Sequence, residues 1–427
     1  MQLRRLLAGP ARLYYGWRMI ALGASIRMLA GGLHMYGFTV YFLPLSHDLG
    51  LSRAATSLAF SLARAEGAIE GPVAGYMIDR FGPRPVMLIG VVMTGVGYML
   101  FSTVNTYLTF LLVYLGVISL GFGAGFMHAP MVLANTWFIR KRALAMTMIS
   151  GSVALGGAFV APLLSLAVQR WGWRTASLLG GLGVLVVGLP MAAMVRRSPE
   201  SMGLRPDGDS LDGPSPSASV QSKGSRRWPF EADFTVREAM GTAAFWMLIL
   251  ATMLRVAGLS AVLVHFIPIM VWKGLSEQKS ALLLANLALF GLPAHLFLGW
   301  LADYVEKPRL MAATMLVATT ALLTLIHGQS ELSMWLFTIL FTAVEAVFPI
   351  TWATVGDFFG RRTFATVRGT MSFFYMWGAV LAPVVAGALY DRSQTYSPML
   401  WGLVGLYLVT TALYSLLSRP LPHRRAA

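Results

Sequence analysis

Long apolar stretches separated by short polar connections make up most of this chain. Each stretch holds about 20 residues or more, which is enough for an α-helix to cross the hydrocarbon core of a bilayer. The pattern predicts twelve membrane helices, near residues 17–44, 54–78, 85–104, 107–136, 143–168, 174–195, 243–271, 278–302, 309–327, 332–355, 365–389 and 397–417. The expected fold class is therefore an all-α integral membrane protein.

One long polar segment interrupts this pattern. Residues 197–240 are rich in Ser, Pro, Gly and charge, which is typical of a solvated linker. The pattern thus predicts an N-terminal six-helix bundle (1–196), a cytoplasmic linker (197–240) and a C-terminal six-helix bundle (241–427). The linker is too short and too polar to be a catalytic domain.

The two predicted bundles contain an internal repeat. Five pairs of identical residues share one offset of 224 positions. The pairs are Gly50 with Gly274, Leu51 with Leu275, Ser52 with Ser276, Gly75 with Gly299 and Asp79 with Asp303. A constant offset over a whole helix indicates duplication, so the bundles are expected to be parallel repeats with the same topology.

The composition agrees with a surface that faces lipid. The chain is 56% hydrophobic and only 12% charged, whereas soluble domains carry about 25% charged residues. The net charge of +15 does not indicate nucleic-acid binding, because the basic residues occur in twos and threes between apolar stretches. Of the Lys and Arg residues, 23 fall on the side of the termini and 6 on the other side. The positive-inside rule therefore predicts that both termini are cytoplasmic.

The sequence also indicates a cellular location. The chain has no cysteine, so it contains neither disulfides nor thiolate metal sites. Short connections and the lack of cysteine favour a bacterial inner membrane. The basic first residues precede no small-residue cleavage site, so the first apolar stretch is expected to be a retained helix.

The connection after the second predicted helix carries a compact motif. It reads Gly75-Tyr-Met-Ile-Asp79-Arg80-Phe-Gly82-Pro-Arg84, and Gly299-Trp-Leu-Ala-Asp303 is a shorter copy after the eighth helix. The motif resembles the loop motif of the major facilitator superfamily, which implies that fold, a transport function and a latch between the halves in the outward-facing state. The gating residues implied by the resemblance are Gly75, Asp79, Arg80, Gly82, Arg84 and Asp303.

A narrower resemblance concerns several short runs. Residues 137–145 (WFIRKRALA), Tyr15-Gly16-Trp17 and His265 resemble the monocarboxylate transporter and oxalate/formate antiporter group. The resemblance implies a small organic anion, a monocarboxylate, as the substrate. The arginine that binds carboxylate in that group would fall at His295, and its first-helix lysine would fall at Tyr36. The usual cations are therefore replaced here.

Six charged residues lie well inside predicted helices: Arg27, Arg64, Glu66, Glu70, Arg255 and Glu345. A charge at bilayer depth costs at least ~2.5–3.5 kcal/mol, so it is expected to face a cavity or a partner. We hypothesise that Arg27 and Arg255 face the substrate and that Glu66, Glu70 or Glu345 carries a coupled proton. The alternative is that these charges form static ion pairs that orient helices.

The histidines and aromatic residues are further candidates. Tyr36, His265 and His295 are expected to contact substrate, whereas His34 and His128 are more typical of hydrogen-bonded residues inside a bundle. The histidines are too scattered for a metal site, and the sequence indicates no cofactor.

The function predicted first is a monomeric secondary transporter of a small organic anion, driven by protons through alternating access. A proton-driven antiporter that exports lipophilic or cationic compounds is the second hypothesis, because acidic Glu66, Glu70 and Glu345 would suit such cargo. A membrane sensor that binds without transport is the third. The sequence has no catalytic constellation with usable spacing, so an enzyme is not expected.

Overall fold

The computed structural model describes residues 14–51, 53–209 and 233–420. Within these residues the chain is helical and contains no β-strand. Twelve long helices of the described chain, α1–α12, follow the predicted apolar stretches. Their bounds are Tyr15–Ala30 continued by Gly31–Tyr36 and Gly37–Asp48 (α1), Arg53–Phe81 (α2), Pro83–Phe101 (α3), Tyr107–Trp137 (α4), 142–171 (α5), 173–194 (α6), Ala243–Val264 continued by Phe266–Trp272 (α7), Glu277–Leu301 (α8), Lys307–His327 (α9), Glu331–Phe359 (α10), Phe364–Ser393 (α11) and Ser397–Ser415 (α12).

Helices α5 and α6 are the two arms of one helical run, Arg142–Met194. The run bends at Gly172, whose φ of 78° and ψ of 163° suit a residue without a Cβ atom. Arg174, just after the bend, bonds to Asp48 at one end of the bundle, whereas the backbone N–H of Arg196 reaches Met19 near the other end. The chain therefore reverses direction at Gly172, within the break that the sequence predicts over residues 169–173.

In the described part of the chain, nine helical segments are long and apolar enough to cross a membrane, with Arg142–Met194 counted once. Helices α1 and α2 are not among the nine. Helix α1 is interrupted by the π-helical segment Gly31–Tyr36, and α2 carries Arg64, Glu66 and Glu70 in its interior. These two helices are thus not uniformly apolar, and they carry several of the candidate site residues.

Helix α4 also departs from regular α-helix geometry. It contains two π-helical segments, Tyr114–Ser119 and Gly123–His128. Wider turns of this kind occur inside α-helices mostly as single insertions and often at functional sites. The second segment ends at His128, just as the π-helical segment of α1 ends at Tyr36.

The two halves of the molecule meet along two helix pairs, α2 with α11 and α5 with α8. Because the repeat relates α2 to α8 and α5 to α11, the two interfaces are equivalent. At the first interface a Cβ atom on Gly369 would collide with the backbone carbonyl of Gly71. At the second, Gly299 lies against Thr147. Small residues thus let the halves approach to backbone contact.

Candidate functional site

Two aspartates join the halves at one end of the bundle. Asp79, near the end of α2, accepts hydrogen bonds from the backbone N–H groups of Ala365 (3.2 Å) and Thr366 (2.7 Å) in the first turn of α11. Asp303, after α8, accepts from those of Ala143 (2.9 Å) and Leu144 (3.1 Å) in the first turn of α5. Each carboxylate therefore caps a helix of the opposite half and interacts with its positive end.

We call this end of the bundle, where α1 begins and α12 ends, the terminal end. Gly75 supports the latch, because a Cβ atom there would collide with the backbone of Ala365. Gly82 has φ 89° in the turn between α2 and α3. Arg80 bonds within its own helix to Tyr76 (2.7 Å), and Arg84 is exposed. Of the predicted gating residues, Gly75, Asp79 and Asp303 thus contact the opposite half.

An ion-pair network lies beside the Asp303 latch. Arg142 of α5 pairs with Asp357 of α10 at 2.7 Å, and Lys307 pairs with the other oxygen of Asp357 at 2.7 Å. Burial raises the pKa of the Asp303 carboxyl to about 6, although the charge of Lys307 and two backbone N–H groups oppose that rise. The latch therefore contains an acid that titrates close to neutral pH.

The ends of the linker segment reach the same place. Glu200 pairs with Arg361 of the opposite half at 3.0 Å, and Arg361 also donates to the carbonyl of Thr136 in α4. Asp233 accepts from the backbone N–H groups of Arg361 and Arg362. The predicted linker residues 210–232 lie outside the described residues.

We call the opposite end of the bundle the far end. The hydrogen bonds described there lie within one half rather than between the halves. Arg174 bonds to Asp48 and to the carbonyl of Val104, all within the first half. Lys273 donates to the carbonyls of Ile326 and Gly328 within the second half. The described ties thus join the halves at the terminal end and brace each half separately at the far end. This is the geometry of a molecule that is closed at the terminal end.

Three buried side chains converge above the latches. Arg27 of α1 donates to the carbonyl of Met127 (2.9 Å), and Arg368 of α11 lies 2.7 Å from Nδ1 of His128. Arg27 is 4% exposed and Arg368 2%. Arg368 also lies over the ring of Trp352 in α10, 4.8 Å from its centre. The first half contributes Arg27 and His128, and the second half contributes Arg368.

Arg255 lies elsewhere, inside the second half. It is fully buried and donates to the carbonyl of Val344 in α10 at 3.0 Å. Its guanidinium group is 6.0 Å from the ring of Phe348, and its Nε and Nη2 atoms have no hydrogen-bond partner. Its predicted contact with substrate stays a prediction.

Glu66 and Glu70 face α4 rather than Arg27. The carboxyl group of Glu70 packs against Gly123, at the start of the second π-helical segment. The oxygens of both carboxyls are buried and form no hydrogen bond of good geometry. The described part of the chain shows no ion pair between them and Arg27, and the side chain of Arg64 lies outside the described residues. The predicted grouping of Arg27 with the two glutamates thus stays a prediction.

Tyr36 and Glu345 approach each other across the two halves. Tyr36, at the end of the π-helical segment of α1, is 41% exposed. Glu345 of α10 is also exposed and close enough to interact electrostatically with it. Both side chains thus face the space between the halves rather than the interior of either bundle.

The predicted histidines have local partners. His265 bonds to the carbonyl of Pro383 (3.1 Å) and to Tyr396 (3.3 Å), and His295 bonds to the carbonyl of Gly291 (2.8 Å). His34 lies beside the ring of Phe122. Among the described residues, no group of three possible metal ligands occurs. These contacts are typical of structural histidines, and the predicted substrate contacts of His265 and His295 stay predictions.

Sequence reasoning missed Arg368 and gave His128 little weight. Arg368 is only four residues from the start of α11, so the count of basic residues groups it with the preceding connection. The internal repeat held a signal. At the offset of 220 residues that relates Arg142 to Arg362, Arg368 stands where the first half has Met148, so its charge is not part of the shared packing.

Two six-helix halves, latched at one end and enclosing buried charge between them, define the class of secondary membrane transporters. The chain belongs to the Major Facilitator Superfamily, whose family model matches residues 20–383. This confirms the predicted fold class, and the chain is accordingly a multi-pass membrane transporter rather than an enzyme.

The relatives with similar sequences indicate which group of the superfamily this chain resembles. Human monocarboxylate transporter 11 is 27% identical over 431 residues, which cover 97% of this chain and 85% of the relative. The oxalate:formate antiporter of Oxalobacter formigenes is 30% identical over 192 residues, or 44% of each chain. The crystal structure of the transporter FucP in the outward conformation matches with a TM-score of 0.70 at 13% identity, covering 94% of this chain and 99% of that one. The predicted resemblance to the monocarboxylate and oxalate/formate group is confirmed.

Proposed function

We propose that the protein moves a small organic anion, specifically a monocarboxylate, by proton-coupled alternating access. The observation that carries this proposal is the pair of buried guanidinium groups of Arg27 and Arg368, which meet between the halves. Among the described residues neither forms an ion pair, and each keeps its Nε atom without a hydrogen-bond partner. Buried charge without a partner is costly, so this region favours an anion. The names of the monocarboxylate relatives support the same substrate class.

The coupled proton is assigned to the acidic residues near the centre of the bundle. Glu70 is the first candidate, because its buried carboxyl lies against α4, the helix that also carries His128. Glu66 lies one turn away on the same face, and Glu345 faces the opposite half. Protonation of Glu70 removes a buried negative charge beside α4 and so favours movement of that helix against its neighbours.

We further propose that both termini are cytoplasmic and that the protein works as a monomer in a bacterial inner membrane. The excess of Lys and Arg at the terminal end supports this orientation. In this orientation the latches at the terminal end close the cytoplasmic side.

Uptake into proteoliposomes tests the proposal. The protein would be reconstituted and supplied with labelled pyruvate or L-lactate, at about pH 5.5 outside and about pH 7.5 inside. Saturable uptake that a protonophore abolishes is the expected result. Movement of lipophilic cations without uptake of either acid would favour the export hypothesis instead, and saturable binding without movement would favour a sensor.

A further inference from the structure

We propose that Arg27 and Arg368, one from each half, form a single carboxylate-binding site with His128 between them. The inference rests on the proposed function and names the residues that would hold its substrate. The proposed site lies at the interface between the halves. It is distinct from the position of His295 on α8.

The geometry brings both arginines to one point on α4. Arg27 bonds to the carbonyl of Met127, and Arg368 bonds to the side chain of the next residue, His128. The guanidinium groups are close enough for their charges to repel each other. A carboxylate between them would replace this repulsion by two charge-assisted interactions, which are roughly twice as strong as neutral hydrogen bonds.

Both arginines keep donors for a ligand. The Nε atoms of Arg27 and Arg368 are buried and have no hydrogen-bond partner. Because a guanidinium group only donates, Nδ1 of His128 must accept from Arg368, and the proton of the neutral ring is then on Nε2. The site therefore offers donors from three side chains, as expected for recognition of a carboxylate.

Aromatic rings complete the site. The guanidinium group of Arg368 lies over Trp352, and Trp352 lies 5.8 Å from the ring of Tyr375. The contact with Trp352 fixes the plane of the guanidinium group. The rings give the site an apolar wall, which suits the carbon skeleton of a small organic acid better than an inorganic anion.

The position of the site also links binding to the motion of the halves. Arg27 belongs to the first half and Arg368 to the second, so a carboxylate held by both bridges them. Arg255 differs in this respect, because its hydrogen bond to Val344 and its contact with Phe348 stay within the second half. We assign Arg255 to positioning of α7 against α10 rather than to binding.

Thermal stabilisation by carboxylates tests the inference. The purified protein would be titrated with acetate, pyruvate, L-lactate and benzoate, and the acid with the largest effect would serve as the probe. R27Q and R368Q should each weaken binding of the probe at least about tenfold. R255Q should change it less than about threefold, and R174Q, which alters a far-end arginine, serves as the control for general loss of charge.

Two further variants separate binding from folding. R368K keeps the charge but not the planar donor group and should fall between the wild type and R368Q. H128N keeps an acceptor near the place of Nδ1 and should retain more affinity than H128L. Size-exclusion profiles without ligand show whether each variant folds.

The outcomes distinguish the inference from the proposed function. Full affinity in R368Q, or an equal loss in R255Q, would overturn the inference, because binding would then not depend on this pair. If no carboxylate stabilises the folded wild type, the proposed function itself is wrong.

Discussion

The guanidinium group of Arg361 donates from both Nη atoms to one oxygen of Glu200, at 3.0 Å each. Glu200 follows α6 in the first half, and Arg361 precedes α11 in the second. Although burial alone would raise the pKa of Glu200, the charge of Arg361 and nearby hydrogen bonds lower it below its ordinary value. The segment that leaves the first half thus forms a further tie at the terminal end, in addition to the Asp79 and Asp303 latches.

Loss of this tie should open the terminal end more often. Exposed ion pairs contribute about 0.2–1 kcal/mol, and the Glu200 side chain is 53% exposed. We therefore expect E200Q to raise the open population roughly two- to fivefold at most. The chain has no cysteine, so a single T147C substitution reports opening, because Thr147 is buried against Gly299 of the other half. The rate of maleimide labelling at T147C measures the effect.

A matched control is available at the far end. Lys279 and Glu331 form an exposed ion pair inside the second half. E331Q removes a similar charge without touching the interface, and labelling at T147C should stay unchanged. Equal labelling in E200Q and the parent T147C protein would show that the tie does not hold the halves together.

The Asp303 latch should make closure depend on pH. Its pKa is raised from 3.8 to about 6 while it is buried, and it returns toward the ordinary value when the latch opens to water. Proton binding therefore favours the closed form. This contribution is fully present below about pH 4 and is lost as the pH rises through about 6. Labelling at T147C should slow as the pH falls from about 7.5 to about 5, after division by the rate for denatured protein at each pH.

The control is D303N, which cannot titrate and keeps one oxygen to accept a backbone N–H. Its labelling should vary less with pH than labelling of the parent. An unchanged or steeper pH profile in D303N would assign the effect to other groups.

Replacement of Glu70 tests proton coupling. E70Q has nearly the same shape against Gly123, but its amide cannot bind and release a proton as a carboxyl group does. We expect accumulation driven by a pH gradient to fall to the level seen without a gradient, while exchange of labelled for unlabelled substrate continues. E331Q again serves as the matched control. Gradient-driven accumulation at the wild-type level in E70Q would remove Glu70 from the coupling mechanism.

The close approach of α2 and α11 should be sensitive to one methyl group. In G369A the new Cβ collides with the backbone of Gly71, and overpacking of this kind costs about 1–3 kcal/mol. The melting temperature should fall by several degrees, and labelling at T147C should increase. In G402A, on α12, the added Cβ meets no atom within 4 Å, so its melting temperature should stay constant or rise slightly. A stable, fully latched G369A protein would contradict this account.

Much of the fold could be predicted because membrane helices are specified by local composition. The apolar stretches located the helices. The gating role of Asp79 and Asp303 was implied by the family resemblance and stays a prediction, and each aspartate bonds to a helix of the opposite half. The break over residues 169–173 was predicted, and the structure turns at Gly172 within it, but the sequence gives no sign of the φ that this glycine adopts. The predicted boundaries at 196 and 241 stay predictions.

The candidate site was harder to predict, because the depth of a residue along a helix does not fix which neighbouring helix its side chain faces. Glu66, Glu70 and Arg27 were expected at similar depths, which stays a prediction, but the carboxyl group of Glu70 packs against α4. The orientation of this carboxyl group depends on packing around a π-helical segment, and the sequence has no periodic pattern that predicts such a segment. Arg368 was missed for a related reason. Its long side chain carries the charge away from a helix end into the interface.

The uneven distribution of ties between the two ends sets a resting state for the empty carrier. Opening the terminal end must break the hydrogen bonds of Asp79 and Asp303 and the ion pair of Glu200, whereas the described bonds at the far end can persist through the motion. With no solute bound, the molecule should thus stay closed at the terminal end. In the proposed orientation that end faces the cytoplasm, so the latches favour the form that captures solute from the medium, while the solute and proton gradients set the direction of net transport.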